Sequence, residues 1–294
     1  KTNGDEIKIR QYGRPDAKKE ELFIVSSSNN SINIYFNKTF KLNIFDFNVY
    51  NEKLVVEIPE EYYGNLDATA SSASIKIENE FKLKKVRLHS TSGSTHINSN
   101  IIADTLDTNT SSGSIKFNGS VTANEISAKT TSGSFRSTMN IKADNNIELI
   151  TSSGSINLDD DITAKNLYAR SNSGGIRLSN VYVENYDLQC TSGSIKIDRI
   201  SGGGEAKTSS GGIKLTLNNP KGDIFLDATS GSIQIELESS LQFTLTAQTN
   251  SGAIKTNFTT EKNERGNYVT ANIGDNPTVN INANASSGSI KVEQ

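Results

Sequence analysis

The chain has 294 residues, with 34% hydrophobic, 7% aromatic and 21% charged side chains, a net charge of −3, one Cys and no Trp. It is too poor in apolar residues for an ordinary globular core, too weakly charged for a charge-driven disordered chain, and not basic enough for a dedicated nucleic-acid binder. The lone Cys190 excludes an intramolecular disulfide framework, and no run of about 18 apolar residues is present to span a membrane as a helix.

Residues 1–65 carry short apolar-alternating segments: Leu22-Phe23-Ile24-Val25, Ile32-Asn33-Ile34-Tyr35-Phe36, Leu42-Asn43-Ile44-Phe45 and Leu54-Val55-Val56-Glu57-Ile58-Pro59. They predict a β-rich N-terminal cap with irregular first coils, since a repeat array must cover its terminal edges. Asn29-Asn30-Ser31-Ile32 reads as a degenerate first repeat. No basic-then-apolar leader is present, and the chain starts at Lys1 with Met139 as its only Met, the pattern expected of a trimmed or mature segment.

From residue 66 to 294 a Ser-Gly-Ser-Ile motif recurs eleven times, with its glycine position at 73 (Ala), 93, 113, 133, 154, 174, 193, 211, 231, 252 and 288. The spacing is 18–21 residues except for a last step of 36. Such self-similarity outweighs any local signal. Counted from the glycine, positions −7, −5 and −3 are apolar or small, as in Leu106-x-Thr108-x-Thr110 and Ile147-x-Leu149-x-Thr151. Beyond the glycine the parity flips, to Ile at +2 and mostly Ile, Leu or Phe at +4. Several repeats add a third pair at +8 and +10, such as Ile101/Ala103 and Val121/Ala123. Period two means strand, and a parity flip means a corner. The fold class is therefore all-β: a single-stranded parallel β-helix, or β-solenoid, with about 20 residues and three short strands per coil. A right-handed course is favoured.

Glycine suits the corner because it tolerates positive φ and carries no Cβ. The inward Ser and Thr of position −3 are expected to satisfy one another in a hydroxyl ladder running from coil to coil. Cys190 stands in that column as a small buried residue. The 36-residue gap predicts a hairpin insert near 257–275, protruding between the last two coils. The last motif lies so near Gln294 that the C-terminal edge is expected to be poorly covered and open to self-association.

The Ser-Gly-Ser-Ile ladder and the Leu54–Pro59 segment together resemble the bacterial adhesin family also called domain of unknown function 4097, over roughly residues 20–294. The resemblance implies a β-helical, extracytoplasmic domain, often tethered to the envelope of Gram-positive bacteria, with some members linked to envelope stress. It brings no catalytic residues with it.

Candidate chemistry is sparse. Asp159-Asp160-Asp161 is the only acidic run and reads as a solvated turn rather than a calcium or glycosidase site. His89 and His96 sit at −4 and +3 of one repeat, on opposite sides of a corner, as two surface residues rather than a metal pair. Gly202-Gly203-Gly204 reads as a flexible loop, because no phosphate-binding helix follows it. No Gly-x-Ser-x-Gly elbow stands before a helix. No catalytic, cofactor-binding or metal-binding residue is therefore assigned.

Position +3 is different: Lys76, Lys116, Arg136, Arg177, Lys196, Lys214, Lys255 and Lys291 form a potential cationic stripe, interrupted by His96, Asn157 and Gln234. Acidic residues at +5 (Glu78, Asp159, Asp198, Glu236, Glu293) partly neutralise it. The expected function is a non-enzymatic, extracytoplasmic surface module, membrane-anchored in its full-length form, that binds a cell-wall polymer or an anionic membrane and no nucleic acid. A self-associating structural module is the alternative, and a glycan-acting β-helix enzyme ranks third.

Overall fold

A computed structural model describes residues 6–13, 19, 22–28, 31–35 and 52–294. The chain divides into two compact units, Lys1–Tyr62 and Tyr63–Gln294.

In the first unit, Lys8–Tyr12 pairs antiparallel with Lys53–Glu57, and an Arg10–Glu57 ion pair closes that ladder. Ile24–Ser28 pairs antiparallel with Ser31–Tyr35. These described segments are antiparallel ladders, and Ile32 pairs with Ser27 in one of them. Leu42–Phe45 lies outside the described residues.

The second unit is a parallel β-solenoid. Each +2 residue stacks on that of the next coil: Ile75, Thr95, Ile115, Phe135, Ile156, Ile176, Ile195, Ile213 and Ile233 pair successively in register. Inward positions beyond the half-buried first coil are mostly buried, and Leu83, Leu88, Ile97, Ile115 and Ile147 are fully so. Phe117 and Phe135 meet edge to face with centroids 5.0 Å apart, which lets two rings share one narrow coil interior.

The second corner differs from the expectation of three separate strands. Phe81–Ser90, Ile101–Thr110, Val121–Thr130 and Ile141–Thr151 each run unbroken through it. In Ile101–Thr110, two successive outward residues, Asp104 and Thr105, separate the buried pair Ile101/Ala103 from the buried triplet Leu106/Thr108/Thr110. That one-residue change of phase turns the sheet without stopping its hydrogen bonds. From Ile156–Ser171 to Ile195–Thr208 the strand continues from one motif almost to the next.

The first corner is tight for a reason other than backbone freedom. No motif glycine has positive φ; among the described residues the positive-φ glycines are Gly13, Gly202, Gly204, Gly266 and Gly274. What demands glycine is the coil beneath. A Cβ on Gly113 would lie 2.0 Å from the Gly93 carbonyl oxygen, and one on Gly133 would lie 2.0 Å from that of Gly113. Ala73 begins this file, so its Cβ faces no earlier motif corner.

The inward hydroxyls do not form the expected hydroxyl-to-hydroxyl ladder. Thr151 Oγ1 donates to the Gly133 carbonyl (2.8 Å) and accepts from the Gly154 N–H (3.0 Å). Ser171 and Thr208 make the same clamp across their own corners. Each hydroxyl thus satisfies the backbone of two coils, which an aliphatic side chain could not do. The outward Ser after the glycine adds a second tie: Ser94 Oγ accepts from Ser114 N–H and Ser114 Oγ from Ser134 N–H.

The C-terminal end departs most from expectation. Ile233–Leu237 pairs with Ile290–Glu293, and Ile254–Thr256 pairs with the far side of that strand. Likewise Val279–Ala285 lies between Ile224–Ala228 and Phe243–Thr249. The last motif in sequence is therefore intercalated between the two before it. The insert does form a hairpin, Glu261–Lys262 against Tyr268–Ile273, but it lies along Phe243–Gln248 as an antiparallel strand instead of protruding between coils. Phe258 packs edge to face on buried Phe243. Gln294 Nε2 donates to the carbonyls of Glu238, Ser239 and Leu241. The poorly covered edge expected after the last motif is instead an internal coil with its end pinned.

Candidate functional site

After each Ser-Gly corner the +2 and +4 side chains face the core, so +3 must point outward. Register then aligns the +3 side chains in one file: Lys76, His96, Lys116, Arg136, Asn157, Arg177, Lys196, Lys214 and Gln234, followed by Lys291 and Lys255. All eight sequence-predicted cations stand in it, with Lys291 and Lys255 exchanged in order by the intercalated coil. Neighbours are one strand spacing apart, about 5 Å.

Half of these cations are matched locally. Arg136 pairs with Asp159 (2.8 Å), Lys196 with Asp198 (2.9 Å), Lys214 with Glu236 (2.9 Å) and Lys291 with Glu293 (2.7 Å). The hydrogen bond from Lys214 is the main reason the Glu236 carboxyl stays ionised below its usual range. Such exposed pairs contribute little to stability. Lys76, Lys116, Arg177 and Lys255 have no ion pair among the described residues, and all four are exposed.

His96 lies between Lys76 and Lys116. Partial burial, then the charges of Lys116 and Lys76, lower its pKa, and Glu78 opposes them only partly. A histidine with a lowered folded-state pKa binds its proton more readily when unfolded. It adds no pH dependence above the ordinary histidine range and makes the fold less stable as pH falls through that range. A proton NMR titration of His96 is expected to give a midpoint below 6.5. A midpoint at or above 6.5 would show that burial and the Lys116 and Lys76 charges do not outweigh Glu78.

The other candidates are dispersed. In the acidic run, Asp159 takes Arg136, Asp160 accepts from the Asp161 N–H, and Asp161 accepts from Asn180. His89 is in register with Thr69 and Asn109, in a different file from His96. Among the described residues no group of three or more His, Cys, Asp or Glu side chains is placed to hold a metal ion. Cys190 Sγ donates to the Gly174 carbonyl (2.9 Å) in place of a hydroxyl, and burial pushes its thiol pKa up, away from reactivity. Gly202-Gly203-Gly204 is not a loop: it lies within Ile195–Thr208, where Gly204 pairs with buried Tyr186. A Cβ on Gly204 would meet the Tyr186 carbonyl oxygen at 2.1 Å. The glycines there let the backbones of adjacent coils approach closely, Gly202 against Val183, Gly203 against Gly222 and Gly204 against Tyr186.

One surface escaped the sequence reading. Tyr168 and Phe225 are outward rings at −6, each 46% exposed. The signal was an aromatic at a position that is polar in every other repeat.

Among the described residues no helix is long and apolar enough to cross a membrane. What the geometry defines is a parallel β-solenoid domain with regular side-chain files. The Toastrack DUF4097 family model matches residues 1–137 and again 121–293, and the chain belongs to this family of domains of unknown function. Comparison with curated proteins and with solved structures finds no match.

Proposed function

We propose that this domain is a non-enzymatic module of the bacterial cell surface that docks on an anionic polymer through the +3 file. The observation that carries this reading is the alignment of eight cations in one register column, four of them without a carboxylate partner among the described residues. A polymer with one phosphate per few ångströms can bridge successive coils, gaining from charges that repel one another in the free protein. The separate engagement of Asp159, Asp160 and Asp161 favours binding over glycan hydrolysis, which needs two carboxylates facing one bond.

The test is binding of inorganic polyphosphate and teichoic acid at low and high salt. Affinity is expected to fall steeply with salt. Reversing Lys76, Lys116, Arg177 and Lys255 together to Glu is expected to abolish binding, whereas Lys196→Glu, whose charge is already matched, costs less. Binding indifferent to both would sink the reading. Anionic vesicles, run beside neutral ones, distinguish a membrane surface from a wall polymer.

A second reading, self-association, rests on Ile254–Thr256, whose one ladder partner among the described residues is Ile290–Val292. Mass measured against concentration separates it from the first.

A further inference from the structure

The face that carries Tyr168 and Phe225 is chemically unlike the cationic file. The two rings share one register column, with Asp187 and Glu205 between them. Three coil steps separate the rings, about 14 Å. The adjacent outward column holds Arg170, Gln189, Lys207 and Asp227. Its polar groups are already organised: Arg170 Nη2 donates to Gln189 Oε1 (2.6 Å), Gln189 Nε2 donates to both carboxylate oxygens of Asp187 (3.0 and 3.2 Å), and Lys207 pairs with Glu205. The same four residues of that column line a shallow open depression of about 450 Å³, edged by hydroxyls such as Thr191 and Thr229.

This combination selects among partners. A hydrophobic helix or strand needs contiguous apolar surface, but ionised side chains stand between the two rings. An anionic polymer meets three carboxylates against two cations. A neutral sugar chain suits both halves of the surface. The C–H face of a pyranose stacks on an exposed ring, as apolar matter does on aromatic faces. Its hydroxyls donate to Asp187, Glu205 and Asp227 and accept from Arg170, Gln189 and Lys207. The coil spacing is close to the length of one β-linked pyranose, so successive sugars meet successive coils.

We propose that this face binds a neutral β-1,4-linked polysaccharide laid along the solenoid axis, with Tyr168 and Phe225 as stacking platforms at its two ends. The proposal stands apart from the cationic file and does not depend on it.

The test is calorimetric titration of the full chain with cellohexaose and N-acetylchitohexaose, followed in parallel by tyrosine fluorescence, since the chain has no Trp. Saturable, salt-insensitive binding of at least one hexaose is expected. Tyr168→Ala and Phe225→Ala should each weaken it about tenfold, and Gln189→Ala severalfold. Tyr168→Phe should keep affinity within about twofold, because stacking needs the ring and not its hydroxyl. Tyr168 and Phe225 are exposed and Gln189 is half-buried, so the melting temperature of each variant is measured beside its affinity, and unchanged melting verifies that folding is intact. The Lys76, Lys116, Arg177 and Lys255 charge reversal should leave hexaose binding untouched. No binding of either hexaose at millimolar concentration would overturn the proposal, as would binding that survives Tyr168→Ala together with Phe225→Ala, or displacement of the sugar by polyphosphate.

Discussion

Gly133→Ala is expected to lower the stability of the solenoid by about 3 kcal/mol or more, at or beyond the upper range of overpacking changes. The added methyl would lie 2.0 Å from the Gly113 carbonyl oxygen, 2.5 Å from its carbon and 2.8 Å from the Ser114 nitrogen. All three are backbone atoms, so no side chain can swing aside. Relief requires the two coils to part locally, and the hydrogen bonds that tie the corners would lengthen with them, including Ile115 N–H to Ser134 O and Ser132 N–H to Ser111 O. Alanine is otherwise a better strand residue than glycine, so propensity alone predicts the opposite sign. Ala73→Gly supplies the control: no motif corner lies beneath it, and the change should cost only the flexibility of glycine, about 0.5–1 kcal/mol. Urea unfolding of both variants is the measurement. A Gly133→Ala midpoint equal to that of the parent chain would show that the coils are not stacked this closely.

Thr151→Val should cost about 2–4 kcal/mol, although it keeps the volume and β-branching of the side chain. Thr151 is 1% exposed. Its hydroxyl is bonded to both the Gly133 carbonyl and the Gly154 N–H, so valine would orphan a buried acceptor and a buried donor in adjacent coils. Each such group costs about 1–3 kcal/mol. Cys190→Ser tests the same clamp from the other side. It replaces a weak thiol donor to Gly174 with the group used at Ser171, and stability should change by less than about 1 kcal/mol or rise. If Thr151→Val proves neutral while Gly133→Ala unfolds the chain, steric stacking alone holds the corner.

The coil period, the inward columns and the cationic file were all legible because each rests on parity, and parity is written residue by residue in a strand. Lys116 points outward because Ile115 and Phe117 point inward, and no tertiary knowledge is needed for that. The purpose of Thr151 was legible only as a need: a buried hydroxyl must have a partner, but the sequence does not say that the partner is a glycine carbonyl one coil away. The bend at Asp104-Thr105 looked like a strand break, since a change of phase reads the same whether hydrogen bonding stops or merely turns. The place of Ile290 was hidden for a different reason. Ile254 and Ile290 carry equivalent motifs, and either could pair with Ile233. The choice between them is made by the hairpin strand Tyr268–Ile273, which occupies the outer side of Phe243–Gln248.

That choice has a consequence for how the molecule comes into being. During synthesis the segment around Gly252 emerges while Ile224–Ala228 and Ile233–Leu237 still offer open edges, and its register fits them. The rightful neighbour, Val279–Glu293, is made later. A nascent chain that stacks its coils in the order it meets them must therefore undo its last addition before it can finish. The coils before Ile233–Leu237 stack in the order of the sequence, whereas the last two stand in the reverse order.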